Sequence, residues 1–189
     1  MTGKDRGSLR IIAGKWRSRK LIFPDQQSLR PTPDRVRETL FNWIQADIPG
    51  SLCLDCFAGS GALGFEAASR GADTVVMIEH HRDAAAALKR NIELLKAEKN
   101  IQLVVADSMA WLGHNTRRFD LVFLDPPYKA GLLNQCCRLL EDRKCLAENA
   151  KIYIEHALGD KDLSVPDNWK CLKQKSAGQV VYKLFSRAQ

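Results

Sequence analysis

The tetrad Asp125-Pro126-Pro127-Tyr128 follows the apolar run LVFL, and its residue types suit the handling of a weakly nucleophilic amine. An exocyclic amine on a nucleic-acid base reacts poorly because its lone pair is delocalised into the ring. Two acceptors aimed at the amine hydrogens, the Asp125 carboxylate and the Pro126 carbonyl, localise that pair and hold the nitrogen in line with a methyl donor. Consecutive prolines stiffen the loop and fix the direction of the carbonyl. Tyr128 adds a ring on which a planar base can stack, an interaction worth about 1–3 kcal/mol. The plain alternative is an ordinary loop, since Asp-Pro commonly opens turns.

The residues upstream favour the chemical reading. SLCLD runs into FAGSGALG, so Asp55 stands at the carboxyl end of an expected strand and Gly59, Gly61 and Gly64 shape the turn after it. Glycine permits positive φ and lets a backbone approach a ligand closely. In open parallel sheets that edge is where ligands bind. Glu79 ends the next expected strand twenty residues after Gly59, the place for an acid that accepts hydrogen bonds from ribose hydroxyls. Together these residues describe an adenosine-binding site. Gly59 to Gly64 taken alone also fits the dinucleotide fingerprint, which keeps a nicotinamide-dependent oxidoreductase in view. Asp55 argues against that rival: an anion beside the turn repels a pyrophosphate and suits the ammonium end of a methionine-like ligand. Asp107, at the end of the third strand, can accept from an adenine amino group or cap the helix that starts at Ser108, and the two roles are compatible.

Positioning these groups requires repeated strand, turn and helix units. Strands are expected at 51–55, 74–79, 101–105, 119–124 and 151–156, with helices at 62–70, 82–99, 108–114 and 131–144 between them. Two closing strands fall near 170–175 and 180–185, joined through Ala177-Gly178. Such alternation specifies a doubly wound, mostly parallel α/β sheet. Before Thr32 the chain alternates basic and apolar residues and reads as one or two short strands. Thr32 is expected to cap a helix with Pro33 at its first position. Val36, Leu40, Trp43 and Ile44 then face the main domain and leave Arg35 and Arg37 free. The chain thus divides into a basic extension, 1–32, and an α/β domain, 33–189.

Charge supports a polyanionic partner. Residues 1–40 hold ten basic and four acidic side chains, so +6 of the net +7 lies there. A basic edge of this kind is the footprint of phosphate binding, although a solvated tail has the same composition. None of the six cysteines suggests a disulfide framework or metal site: Cys53 and Cys56 lack a second, similarly spaced ligand pair, and Cys136 and Cys137 are adjacent. The four histidines show no ligand spacing either, so no metal is expected. No apolar stretch is long enough to span a membrane and the first residues lack a secretory pattern, which points to a cytoplasmic protein.

RIIAGKWRSRKL, LRPTPDRVRETLFNWI, LDCFAGSGALGFEAASRGA, FLDPPY and GQVVYKLF together resemble the bacterial RsmD-type enzymes, class I S-adenosylmethionine methyltransferases that act on N2 of a guanine in 16S ribosomal RNA. The resemblance covers nearly the whole chain. It implies a Rossmann-like seven-stranded fold and S-adenosylmethionine held by Asp55, Phe57, Gly59, Gly61, Glu79, Asp107 and Ser108. It places Asp125, Pro126, Pro127 and Tyr128 at the target base, within an assembling small ribosomal subunit. Arg10, Lys15, Arg17, Arg19, Lys20, Arg35 and Arg37 would then hold flanking phosphates. Cys53 and Cys56, flanking Asp55, depart from the usual pattern without removing a group the chemistry needs. Amine chemistry alone admits a DNA adenine-N6 methyltransferase, and charge alone admits a non-enzymatic RNA-binding module.

Overall fold

The computed structural model describes residues 6–24, 32–127, 131–160 and 163–188. Tyr128 therefore lies outside the described residues. A two-stranded antiparallel hairpin, β1 (Arg6–Arg10) and β2 (Lys20–Pro24), precedes helix α1 (Asp34–Trp43). There follow β3 (Leu52–Asp55), α2 (Ala62–Ser69), β4 (Thr74–Glu79), α3 (Arg82–Leu95), β5 (Ile101–Val105), α4 (Ser108–His114), β6 (Phe119–Leu124) and α5 (Leu132–Asp142). The chain closes with β7 (Leu146–Ala157), β8 (Trp169–Ala177) and β9 (Val180–Arg187).

The seven-stranded sheet runs β5-β4-β3-β6-β7-β9-β8. Strands β3 to β7 pair in parallel, while β9 is antiparallel to both of its neighbours. This is the Rossmann-like, mostly parallel architecture expected from the alternation of apolar strands and helices. Its strand order reverses direction at β3, which opens a crevice beyond the carboxyl ends of β3 and β6. Among the described residues no helix is long and apolar enough to cross a membrane.

Two apolar layers hold the sheet. One contains Leu40 and Phe41 of α1, Phe65 of α2 and Leu88 of α3 against Val75, Met77, Phe123 and Tyr153. The other contains Leu112 of α4 and Leu133, Cys136 and Leu140 of α5 against Leu54, Val76, Val122 and Ile152. Successive strand residues point to opposite faces, so the same strands feed both layers. Cys53 lies in the first layer and Cys56 in the second, so the two thiols do not form a pair of neighbours. Leu9, Ile11, Trp16, Leu21 and Phe23 of the N-terminal segment join the first layer, which roots the hairpin in the core of the α/β domain.

Two expectations for α1 need correction. Pro33 occupies the N-cap with no side-chain cap bond, and its carbonyl accepts from the Val36 and Arg37 amides. Thr32 does not cap the helix. Its hydroxyl is spent elsewhere, on Asp125. Arg37 is fully buried and is not free to meet a phosphate. Its Nη2 lies 2.6 Å from Asp34 Oδ1 and donates to the Arg10 carbonyl at 2.9 Å, and its Nη1 is 3.7 Å from Glu66 Oε2. The reason is helical phase: Arg37 shares the inward face of α1 with Leu40, Phe41 and Ile44.

Candidate active site

Four acids gather at the carboxyl edge of the sheet: Asp55 on β3, Glu79 on β4, Asp125 just past β6 and Glu155 near the end of β7. Each strand ends there because a glycine, proline or helix cap follows and turns the chain. Asp55 and Glu79 are almost wholly buried, at 3% and 5% exposure. Among the described residues no lysine or arginine pairs with Asp55, Glu79, Asp125 or Glu155. The edge is therefore a carboxyl-lined crevice to which, among the described residues, His80 is the neighbouring base, its Nδ1 3.6 Å from Glu79 Oε1.

The glycine turn is organised by two of these carboxylates. Asp55 Oδ2 accepts from the Gly64 amide at 3.0 Å and so ties the end of β3 to the first turn of α2. Glu79 Oε2 accepts from Gly59 N at 2.8 Å, and its Oε1 accepts from His81 N at 2.7 Å. Gly59 and Gly61 both adopt positive φ, 51° and 81°. A Cβ on Gly61 would fall 2.5 Å from the Phe65 ring and 2.7 Å from Leu88, so only glycine fits this bend. Burial pushes Asp55 up to about 7, eased by the Gly64 and Phe57 amides and reinforced by the charge of Glu79. Phe57 is half-buried in the same turn.

Asp107 is the N-cap of α4 and accepts from Ala110 N at 2.9 Å, while remaining exposed. Ser108 is buried and its hydroxyl donates to the Cys56 carbonyl, which links α4 to the turn after β3. His80 and His81 are exposed, with ring centroids 3.9 Å apart, beside Glu79.

On the far side of β3, Asp125 is half-buried, Pro126 buried and Pro127 exposed. Thr32 Oγ1 donates to Asp125 Oδ2 at 3.2 Å, so the segment before α1 reaches across to the proline loop. Burial raises Asp125 well above the ordinary carboxylate range; the charges of Glu155 and Asp55 add to this and the Thr32 bond opposes it. Glu155, 5% exposed, accepts from the Tyr153 hydroxyl at 2.9 Å. Neither Thr32, Tyr153 nor Glu155 stands out in the sequence as a site residue. The signal was present only in KIYIEH, where Tyr153 and Glu155 share one face of a strand and put polar groups at its end.

The basic residues lie on the same face as α1 and α2. Arg10, Lys15, Arg17, Arg19 and Lys20 are exposed on the hairpin and its loop, and Arg35 is exposed in the first turn of α1. The loop is held by the carboxyl end of α2. Ile12 and Ala13 amides donate to the Glu66 carboxylate at 2.8 and 3.0 Å, Lys15 N donates to the Ser69 carbonyl at 2.7 Å, and Trp16 N donates to Ser69 Oγ at 2.9 Å. Helix α2 thus carries the glycine turn at one end and the basic loop at the other.

Known proteins resemble this chain over almost its whole length. The family described as "Conserved hypothetical protein 95" matches residues 9–186. Ribosomal RNA small subunit methyltransferase D of Escherichia coli K12 is 48% identical over 181 residues, covering 96% of this chain and 91% of that protein. The protein of the same name from Haemophilus influenzae is 46% identical over 187 residues, covering 97% and 96%. The solved yhhF chain from Escherichia coli superposes with a TM-score of 0.90 at 45% identity, covering 96% of this chain and 99% of that one. With a matching profile, matching length and a matching fold, the chain belongs to the RsmD-type methyltransferase family.

Proposed function

We propose that the protein transfers a methyl group from S-adenosylmethionine to the exocyclic N2 amine of a guanine in 16S ribosomal RNA of the small subunit. The observation that carries this reading is that Asp125, just past β6, lies close enough to Asp55 on the neighbouring strand β3 to feel its charge, with the carboxylate-bound glycine turn following Asp55. Family membership supports the methyltransferase class, and the names of the relatives support a ribosomal RNA substrate.

The donor set fits the cofactor. Asp55, buried and lacking a cationic partner among the described residues, would take the ammonium end, and Glu79 keeps lone pairs for ribose hydroxyls beyond the two amides it already accepts. Gly59, Gly61 and Phe57 would line the adenosyl group, with Asp107 and Ser108 at the adenine side. When bound, S-adenosylmethionine supplies an electrophilic sulfonium methyl. The chain's own work is at the amine. Asp125 and the Pro126 carbonyl accept the two amine hydrogens, which localises the nitrogen lone pair and fixes its direction, and Tyr128 stacks on the ring. Positive charge grows on the nitrogen as it attacks, so the Asp125 carboxylate stabilises the transition state more than the ground state. Pro126 is buried and Pro127 follows it, which restricts the loop's freedom to swing away.

Cofactor affinity should depend on pH through Asp55. In the free protein its carboxyl holds a proton below about 7, and an ammonium partner favours the ionised form. Affinity for S-adenosylhomocysteine is expected to be level above about pH 7.5 and to fall as pH drops through 7, by up to about tenfold per unit, with proton release on binding. Calorimetry in two buffers of different ionisation enthalpy measures both, and Asp55→Asn should flatten the profile at lower affinity. A wild-type profile flat from about pH 5.5 to 8.5 would remove Asp55 from the ammonium site.

The exposed cations of the hairpin loop should act at the RNA. Replacing Arg17, Arg19 and Lys20 together by Ala should weaken RNA binding and lower the dependence of log affinity on log salt by about 2–3, while cofactor affinity stays unchanged. Filter binding over a salt series reads this slope. The function itself is tested by incubating undermethylated small subunits with labelled S-adenosylmethionine and identifying the product by nucleoside mass spectrometry. N2-methylguanosine is the expected product. N6-methyladenine formed in duplex DNA would favour the adenine-N6 alternative, and RNA affinity without any methyl incorporation would favour a binding module.

A further inference from the structure

We propose that Glu155 is a positioning residue for methyl transfer: from the neighbouring strand its buried carboxylate acts on Asp125 as a second negative charge and makes Asp125 the acceptor of the proton that the target amine gives up. This rests on the amine-methylation reading but not on which base carries the amine.

The placement follows from strand register. In the parallel pair of β6 and β7, Phe123 stands opposite Tyr153 and Leu124 opposite Ile154. Phe123 and Tyr153 lie in the first apolar layer, Leu124 and Ile154 in the second. The alternation carries the next residues, Asp125 just past the end of β6 and Glu155 within β7, toward the first-layer side, and the Glu155 charge acts on Asp125 there. Burial raises Glu155 above the ordinary carboxylate range, and the Tyr153 hydroxyl that anchors it from below opposes this by favouring its ionised form. The groups acting on this pair come from several elements: Asp55 from β3, the Thr32 hydroxyl from before α1, and Tyr153 on β7, itself acted on by Tyr182 from β9. Among the described residues no lysine or arginine pairs with either carboxylate.

Two like charges at the end of the sheet, one buried and one half-buried, favour taking up a proton, and the carboxylate nearer the crevice is where it arrives. In the transfer, the nitrogen–methyl bond forms as the sulfur–methyl bond breaks and the electron pair stays on sulfur. The nitrogen then loses a proton to Asp125, which relieves its repulsion with Glu155, and solvent later removes it. Without Glu155 the same carboxylate is a weaker base and a poorer sink for that proton.

The test uses the full-length protein with carboxyl-carbon-labelled aspartate and glutamate, the Asp125 signal being assigned by its loss in Asp125→Asn. In Glu155→Gln the titration midpoint of Asp125 should move down by about one pH unit. The acid limb of single-turnover methyl transfer should move down with it, to a plateau about tenfold lower. Glu155→Asp, which keeps the charge, should hold the midpoint near its wild-type position, and S-adenosylhomocysteine affinity should be the same in all three proteins. An unmoved or raised midpoint in Glu155→Gln overturns the proposal. Should that variant fail to fold, the wild-type curves decide: the Asp125 signal must show a second inflection at the Glu155 midpoint, and two independent single-step titrations refute the coupling. Because the midpoints are read without RNA, this outcome is separate from the fate of the guanine assignment.

Discussion

Asp125→Asn is expected to keep S-adenosylhomocysteine affinity within about threefold of wild type while methyl transfer falls by about a thousandfold. The asparagine oxygen can still accept one amine hydrogen, so the amine is still held. It offers no negative charge as the nitrogen becomes cationic and no place for the departing proton. Asp125 makes no hydrogen bond to the glycine turn, whose own carboxylate partners are Asp55 and Glu79, so the cofactor side should be undisturbed. The same substitution removes the repulsion between Asp125 and the buried Glu155 carboxylate. An acid whose folded-state proton affinity is raised destabilises the fold once pH exceeds its unfolded value, so the variant should melt higher than wild type at neutral and alkaline pH and lose this advantage at acid pH. Quenched single-turnover assays and thermal melts across pH check the two halves. An active variant, or one that melts lower at neutral pH, would mean that the carboxylate serves packing and not chemistry.

That conflict between stability and activity bears on how much of the site the sequence discloses. Asp55, Glu79 and Asp125 are legible because each ends an apolar strand and is followed by residues that bend the chain, so their edge of the sheet follows from local pattern alone. Thr32, Tyr153 and Glu155 are not, because their importance is a matter of who lies beside them in the sheet. Thr32 is 93 residues away from the carboxylate it serves. Thr32 followed by proline reads as a cap, and only tertiary contact diverts its hydroxyl. Arg37 shows the opposite case. Its position relative to Leu40, Phe41 and Ile44 already marks the inward stripe of α1, yet its charge argues for the surface. Element ends fail for similar reasons. Helix α3 stops at Leu95, short of the expected 99, because Lys96 adopts positive φ at 52°, and β7 starts well before residue 151, in a stretch that includes the positive-φ residue Asn149 and a shift of register against β6. Neither irregularity has a strong residue signature.

Glu66→Ala should be the most destabilising single change away from the crevice, costing about 3–5 kcal/mol. Glu66 is fully buried, and its two oxygens accept from Ile12 N, Ala13 N and Arg70 Nε while facing Arg37 Nη1. Removing it strands the buried Arg37 guanidinium with Asp34, itself solvent-exposed, as its remaining carboxylate partner. It also leaves two hairpin-loop amides without acceptors. For a chain of this size the melting temperature should fall by about 10 °C or more. Glu66→Gln keeps one acceptor oxygen and the side-chain volume, so its loss should be smaller. A double replacement of Arg37 and Glu66 by Met distinguishes the causes. If the ion pair alone mattered, packed apolar residues would restore stability; because Glu66 also holds the loop amides, the double variant should remain well below wild type. The functional consequence follows from the same contacts. Release of the loop from α2 should weaken RNA binding more than cofactor binding, since the glycine turn sits at the other end of that helix. A Glu66→Ala protein that melts within about 2 °C of wild type would show that the hairpin is held by its apolar residues alone.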